Sequence, residues 1–362
     1  MIVLPFPSAR ILPLVFLFGL LSFIFLHAVL NSRRPHLEPL TGSLESDHSL
    51  LPWNQTLGVA SRVYVLSLPR RSDRQKDMEH LRKTLGLQWT YVEAIGTHNA
   101  MIKRIMDSVR SIREKNFYER PFLWPDVLPP LSERIDLWSP EFLVETDPST
   151  HSIEKPMLCA TKNNTVRSYK PNLPTHLILT PARVACWLSH MSIIQTIAND
   201  DALKAEDAAI VFEDDINMER DIGQRLEHLW PFLPRDWDIV YLGHCWSNES
   251  FYPALNTHEN FTAISNTASV SHIHPSKSPL CTHAYAVSRT GARRILLHMR
   301  YPAFAYSRAV DRAMAWLIQS RRLKSFSIVP SIVVQRKVGK SDIMPEKGSK
   351  WKDDLFDGVY DN

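Results

Sequence analysis

Three consecutive acids, Glu213-Asp214-Asp215, close a run of five apolar residues, Ala208–Phe212. Such a run reads as a buried strand. Acids at its end fall where open α/β sheets bind ligands, beyond the carboxyl ends of the strands. Three adjacent carboxylates repel one another. A hard divalent cation, Mn²⁺ or Mg²⁺, relieves that repulsion and suits a site built from carboxylates and phosphate. The plainer reading is a solvated turn with an acidic helix cap, and the triplet alone does not separate the two. A phosphatase with an aspartyl nucleophile would show alternating Asp residues followed by Thr, which is absent. A glycoside hydrolase needs two opposed carboxyls at a set separation, which a sequence does not measure.

The second constellation is Leu68-Pro69-Arg70-Arg71-Ser72-Asp73-Arg74. Three arginines stand where a strand ends and a helix begins. Helix amino termini favour anions, and Arg contacts phosphate through paired donors. The alternative is a solvated basic turn whose arginines pair with Asp73 and Asp77.

The elements that position these groups follow from periodicity. Val63–Leu68 reads as a short buried strand and Trp89–Ala94 as a second. Between them Ser72 opens a helix, with Gln75 as its capping-box partner and Gly86 as its stop. This β-α-β unit implies a parallel sheet. Thr180 caps a helix that has Pro181 at its first position. Val184, Leu188, Met191, Ile194 and Ile197 give that helix one apolar face. Further strands are expected at 237–242, 283–287 and 327–335, and further helices at 288–299 and 308–321. Residues 101–175 are proline-rich and weakly periodic, and they read as a loop-rich insertion. The alternation implies an α/β sandwich around a mostly parallel sheet.

Composition narrows the class. Of 362 residues, 44% are hydrophobic and 22% charged, as in an ordinary globular protein. A formal charge of +4 with no basic stripe argues against nucleic acid as a partner. Residues 11–30 are uncharged and mostly apolar. A helix of that length spans roughly 30 Å, the hydrocarbon core of a bilayer. The run is too long for a signal-peptide core, and Ala28-Val29-Leu30 is a poor cleavage site. One uncleaved anchor is expected, after a short tail (residues 1–10) and before a stem (31–60). Arg10 on one side and Arg33 and Arg34 on the other leave orientation open. Sequons at Asn54, Asn163, Asn248 and Asn260 all follow the helix and favour a lumenal body. Four cysteines, Cys159, Cys186, Cys245 and Cys281, lack zinc spacing. Two disulfides could form, in three connectivities. Cys186 lies within an apolar helix and reads as a buried free thiol, and Cys245 with Cys281 is the expected bridge.

Taken in order, several segments resemble glycosyltransferase family 25. That family includes bacterial lipopolysaccharide galactosyltransferases and collagen galactosyltransferases. VYVLSLPRRSDR followed by WTYVEAIG resembles its opening, and LTPARVACWLSH its second block. AAIVFEDDI resembles its acidic block. WDIVYLG, THAYAVSRTGARRIL and the later Asp311 resemble the blocks that follow. PSIVVQ with Ser341-Asp342-Ile343 resembles the last. The likeness covers about residues 61–343, and 101–175 match least. It implies a membrane-anchored eukaryotic member with a catalytic domain over residues 61–345 and a peripheral tail over 346–362. The implied fold is a Rossmann-like sandwich of the nucleotide-diphospho-sugar transferase (GT-A) type. The implied reaction is inverting transfer of a hexose, galactose by family expectation, from a UDP-sugar to a glycan or glycoprotein acceptor in the Golgi or ER lumen. Glu213 and Asp215 would take the outer positions of an Asp-X-Asp-like motif, with Asp214 between them. They would hold Mn²⁺ or Mg²⁺ and the ribose or diphosphate of the donor. Arg70, Arg71 and Arg74 would lie near the diphosphate. Ser189 and His190 would contact the nucleotide, and Asp311 would take the acceptor proton as the catalytic base. No His follows His298, so Lys337, Lys340 or Asp342 would have to close the donor site in place of a late His ligand. The competing class is a non-catalytic, membrane-anchored binding protein on the same fold.

Overall fold

A computed structural model of the chain describes residues 55–114, 123–143, 156–162, 164–255, 270–336 and 354–360. All of these belong to one compact unit, Leu50–Asn362. The expected membrane helix at 11–30, the sequons at Asn54, Asn163 and Asn260, and Lys337, Lys340 and Asp342 lie outside the described residues. Among the described residues no helix is long and apolar enough to cross a membrane.

The chain forms β1 (Arg62–Ser67), α1 (Ser72–Thr84), β2 (Thr90–Glu93), α2 (Ala100–Glu114), α3 (Pro181–Ala198) and β3 (Ala208–Glu213). It continues with β4 (Ile216–Met218), α4 (Ile222–Leu229), β5 (Ile239–Cys245), β6 (His272–Pro275) and β7 (Leu280–Ser288). The last elements are α5 (Arg289–Met299), α6 (Val310–Gln319), β8 (Ser325–Val329) and β9 (Val333–Gln335). Seven strands make one sheet in the order β2-β1-β3-β7-β5-β8-β6, and β4 pairs with β9 in a second. Five strands of the large sheet point one way, whereas β7 and β6 run against them. The sheet is therefore mixed but mostly parallel, a Rossmann-like α/β arrangement.

Both faces of the sheet are covered, which explains why β1 and β5 are buried at every position. Val63, Val65, Ile210, Phe212, Val240 and Leu242 share one core with Met78 and Leu81 of α1 and with Ile222, Leu226 and Leu229 of α4. Alternate strand residues meet the other helices. The Tyr285 hydroxyl lies against α3, and the Tyr241 hydroxyl reaches Met314 of α6.

Several expectations need correction. The stretch read as a loop-rich insertion opens on α2, a fifteen-residue helix. Met101, Ile102, Ile105, Val109 and Ile112 bury one side of it. Packed between α2, α5 and α6, α3 is buried nearly all round rather than on one face. No capping box forms at α1. Arg71 is its N-cap, and its side chain makes no capping hydrogen bond. The Gln75 amide instead donates to the Ser67 hydroxyl (3.2 Å). The expected last strand is two strands in different sheets, with Pro330, which has no N–H to give a ladder, between them. The tail is not peripheral throughout, because Leu355 and Val359 are buried.

Candidate functional site

The strand order builds the site. β1 and β3 are parallel neighbours, with Leu66 opposite Glu213. The next residue on each strand therefore meets its counterpart, and Ser67 Oγ donates to Asp214 Oδ2 at 2.8 Å. The first turn of α1 follows directly. Its Arg74 Nη1 stands 2.9 Å from Asp214 Oδ1 and 2.9 Å from Asp215 Oδ2. β4 pairs with β9 so that Ile216 faces Gln335. This brings the Gln335 amide to Asp215 Oδ2 (3.2 Å), and the Arg336 N–H to the Asp215 carbonyl (2.6 Å).

Glu213 faces elsewhere. Its Oε1 accepts from the Thr282 hydroxyl (2.8 Å) and lies 3.3 Å from His190 Nε2. The other ring nitrogen of His190 lies 3.1 Å from the Tyr285 hydroxyl, so the fully buried imidazole is held from both sides. Ser189 is buried and committed to the fold. Its Oγ donates to the Ala185 carbonyl and accepts the Ile95 N–H, each at 2.8 Å.

The electrostatics separate the outer acids. Burial opposes the charge on Glu213, but the hydrogen bond and charge of His190, then Thr282 and His283, outweigh it and hold the carboxyl well below its usual range. Burial, then the charge of Glu213, pushes Asp215 well above the usual carboxylate range; Asp214 adds to this, against Arg74 and Gln335. Of the two outer acids, Asp215 is thus the less compensated.

Asp311 sits half-buried in the first turn of α6. Its Oδ2 accepts the Cys281 N–H at 3.4 Å, and its Oδ1 accepts the Arg312 N–H at 2.7 Å. Cys281 is bonded to Cys245 across β7 and β5, with a Cα separation of 5.8 Å. Cys159 and Cys186 are free thiols. The Cys186 thiol is pushed up by burial and then by the charges of Glu213, Asp311 and Asp215.

The structure therefore brings Glu213, Asp214, Asp215, Arg74 and His190 together, with Asp311 joined to them through the start of β7. Of the three arginines, Arg74 is the one that contacts the triplet directly. Arg71 pairs with Asp73 at 3.0 Å, its side chain only 15% exposed, and Arg70 is exposed. Arg74 faces acids, because β1 and β3 are adjacent. The repulsion within the triplet is relieved by a guanidinium and hydrogen bonds, so it does not by itself demand a metal. Ser67, Thr282, Tyr285 and Gln335 lie within the segments that resemble the family, but their roles beside the acids, like that of Gln75, depend on strand order, which no local pattern encodes.

Hard oxygen donors in excess of the guanidinium that faces them do fit a divalent cation. Among the described residues no three acidic, His or Cys side chains converge as a complete cage. The fit is to an ion that takes one or two carboxylates and completes its shell from a ligand's oxygens and water.

A Rossmann-like α/β protein with an acidic cluster at its carboxyl edge is the class that fold and site define. Residues 60–314 match the model of glycosyltransferase family 25 (LPS biosynthesis protein), and the chain belongs to that family. A 121-residue stretch is 29% identical to the Bos taurus protein called probable inactive glycosyltransferase 25 family member 3. That stretch covers 33% of this chain and 18% of the relative.

Proposed function

We propose that the chain transfers a hexose, galactose by family expectation, from a UDP-sugar to a hydroxyl of a glycan or glycoprotein, with Mn²⁺ or Mg²⁺ at Asp215 and Glu213. One observation carries this reading: carboxylates exceed their guanidinium at the sheet's carboxyl edge, and Asp311 is tied to the same strand end. A bound divalent ion would neutralise charge on the diphosphate leaving group. Asp311 accepts the proton of the acceptor hydroxyl as its oxygen bonds to the anomeric carbon and the sugar–phosphate bond breaks, its electron pair leaving with UDP. Arg74 fixes Asp214 and Asp215 in place. His190 and Thr282 keep Glu213 ionised. Residues 11–30 anchor the protein in the Golgi or ER membrane, with the body lumenal.

Purified lumenal body with UDP-galactose and Mn²⁺ should release UDP slowly. Asp215→Asn should reduce the rate at least ~100-fold while the thermal midpoint stays the same or rises, since it removes the less compensated charge of the two outer acids. No UDP binding to the wild-type chain, with or without metal, would sink the proposal. A second reading has one observation behind it. Arg74 already contacts two of the acids, as a binding protein with no metal would need. UDP binding that Mn²⁺ leaves unchanged, with no release from UDP-galactose, would favour that reading.

A further inference from the structure

Glu213 and Asp311 come from distant parts of the chain, yet two consecutive residues of β7 hold both. The Cys281 N–H donates to Asp311, and the Thr282 hydroxyl donates to Glu213. β7 is antiparallel to both of its neighbours. Its amino end therefore lies at the same edge as the carboxyl ends of β3 and β5, in the gap between the two acids.

Ordinary sheet pairing secures that end on one side only. On the β3 side the ladder stops at Phe212 opposite Ala284, short of Cys281 and Thr282. On the β5 side the ladder runs on to Cys245 opposite Leu280, but its register shifts between Tyr241 and Gly243 and again between Gly243 and Cys245, so Cys281 and Thr282 lie in an irregular stretch. The Cys281 backbone is left-handed, with φ +66°, a conformation that a residue with a Cβ keeps only when its surroundings enforce it. The covalent tie across this weak stretch is the bond from Cys281 to Cys245 at the end of β5.

We infer that the Cys245–Cys281 disulfide and the Thr282 hydroxyl form one positioning unit, which sets Glu213 and Asp311 relative to each other. The inference rests on the reading of those two carboxylates as metal ligand and proton acceptor. Thr282 acts through Glu213, and the disulfide acts through the Cys281 N–H on Asp311. Neither needs to touch substrate.

Two measurements on the whole lumenal body test this. The first is calorimetric binding of UDP with Mn²⁺ to Thr282→Val, Thr282→Ser and wild type. Valine keeps the shape and removes the hydroxyl. Binding should weaken about tenfold, as expected for losing one hydrogen bond to a charged group. Serine should recover most of it. Equal binding by all three, or equal loss in both variants, overturns the role of Thr282. The second is amide hydrogen exchange in the absence of ligand, comparing wild type with Cys245→Ala/Cys281→Ala. Exchange over residues 280–283 should speed at least tenfold while β3 keeps its protection. Unchanged exchange there overturns the role of the disulfide. If the wild-type chain binds no UDP, the donor-site reading fails, and the exchange measurement still decides whether the disulfide holds this strand end.

Discussion

Arg74 carries two carboxylates at once, each at 2.9 Å, with only 15% of its side chain exposed. Removing one partner of a buried ion pair costs more than the pair contributes, because the other charge stays buried without compensation. Here two charges would be left, and Asp215 already suffers from the charge of Glu213. Arg74→Met keeps the aliphatic stem and removes the cation. In metal-free buffer this variant should lose about 3 kcal/mol against urea unfolding. Millimolar Mn²⁺ should restore part of that loss, and it should stabilise the variant more than wild type. An equal response to Mn²⁺ in both proteins would mean that the cation does not meet these acids. The place of the triplet at the end of a buried strand was legible in the sequence, because five apolar residues lead straight into it. The partner of Arg74 was not, because that depends on which strand lies beside β3.

Packing between elements decides the next scale. Gly243 lies in β5 where the β9 segment crosses it. A Cβ there would collide with the Val333 carbonyl oxygen and the His283 ring. Glycine is needed at this position for space, since its backbone is not left-handed. Gly243→Ala should destabilise by roughly 3 kcal/mol, the upper range of overpacking, and loosen β9 with its Gln335 contact to Asp215. Gly223 of α4 is the control: a Cβ there meets nothing within 4 Å. Gly223→Ala should be neutral or add up to ~1 kcal/mol through helix propensity. Comparing the two midpoints in urea separates close packing from a general intolerance of alanine. The strands at β1, β3 and β5 were legible as unbroken apolar runs. α2 departs from the loop-rich expectation: Met101, Ile102, Ile105, Val109 and Ile112 recur at helical spacing, a period that the prolines and tryptophans after residue 120 mask when the segment is taken as a whole. Strand order, the separate β4–β9 sheet and the diversion of Gln75 to Ser67 had no local signature. They follow from long-range pairing.

Across the whole molecule, the chain's end is joined to the floor of the site. Glu219, buried just after β4, accepts the N–H groups of Phe356 and Asp357 at 2.8 Å each. Asn217 of β4 exchanges two hydrogen bonds with the Tyr360 backbone, at 2.9 and 3.1 Å. The Tyr360 hydroxyl donates to the Asp77 carbonyl of α1 (2.6 Å), and its ring lies under the Arg336 guanidinium. Arg336 in turn pairs with Asp77 at 2.8 Å and donates its N–H to the Asp215 carbonyl. One chain of contacts thus runs from residue 360 to the acid triplet. Ending the protein at residue 353 would strip Glu219 of both N–H donors and leave Arg225, at 3.8 Å, as its remaining cation. Leu355 and Val359 would leave the core as well. A buried carboxylate without its donors costs on the order of 3 kcal/mol, so the thermal midpoint should fall by roughly 5 °C or more. Glu219→Gln in the full-length chain should lose less, because its amide oxygen still accepts one of the two N–H groups. If the shortened chain melted with wild type and bound UDP equally well, the tail would be a bystander and Asp215 would owe its position to β9 and Arg74.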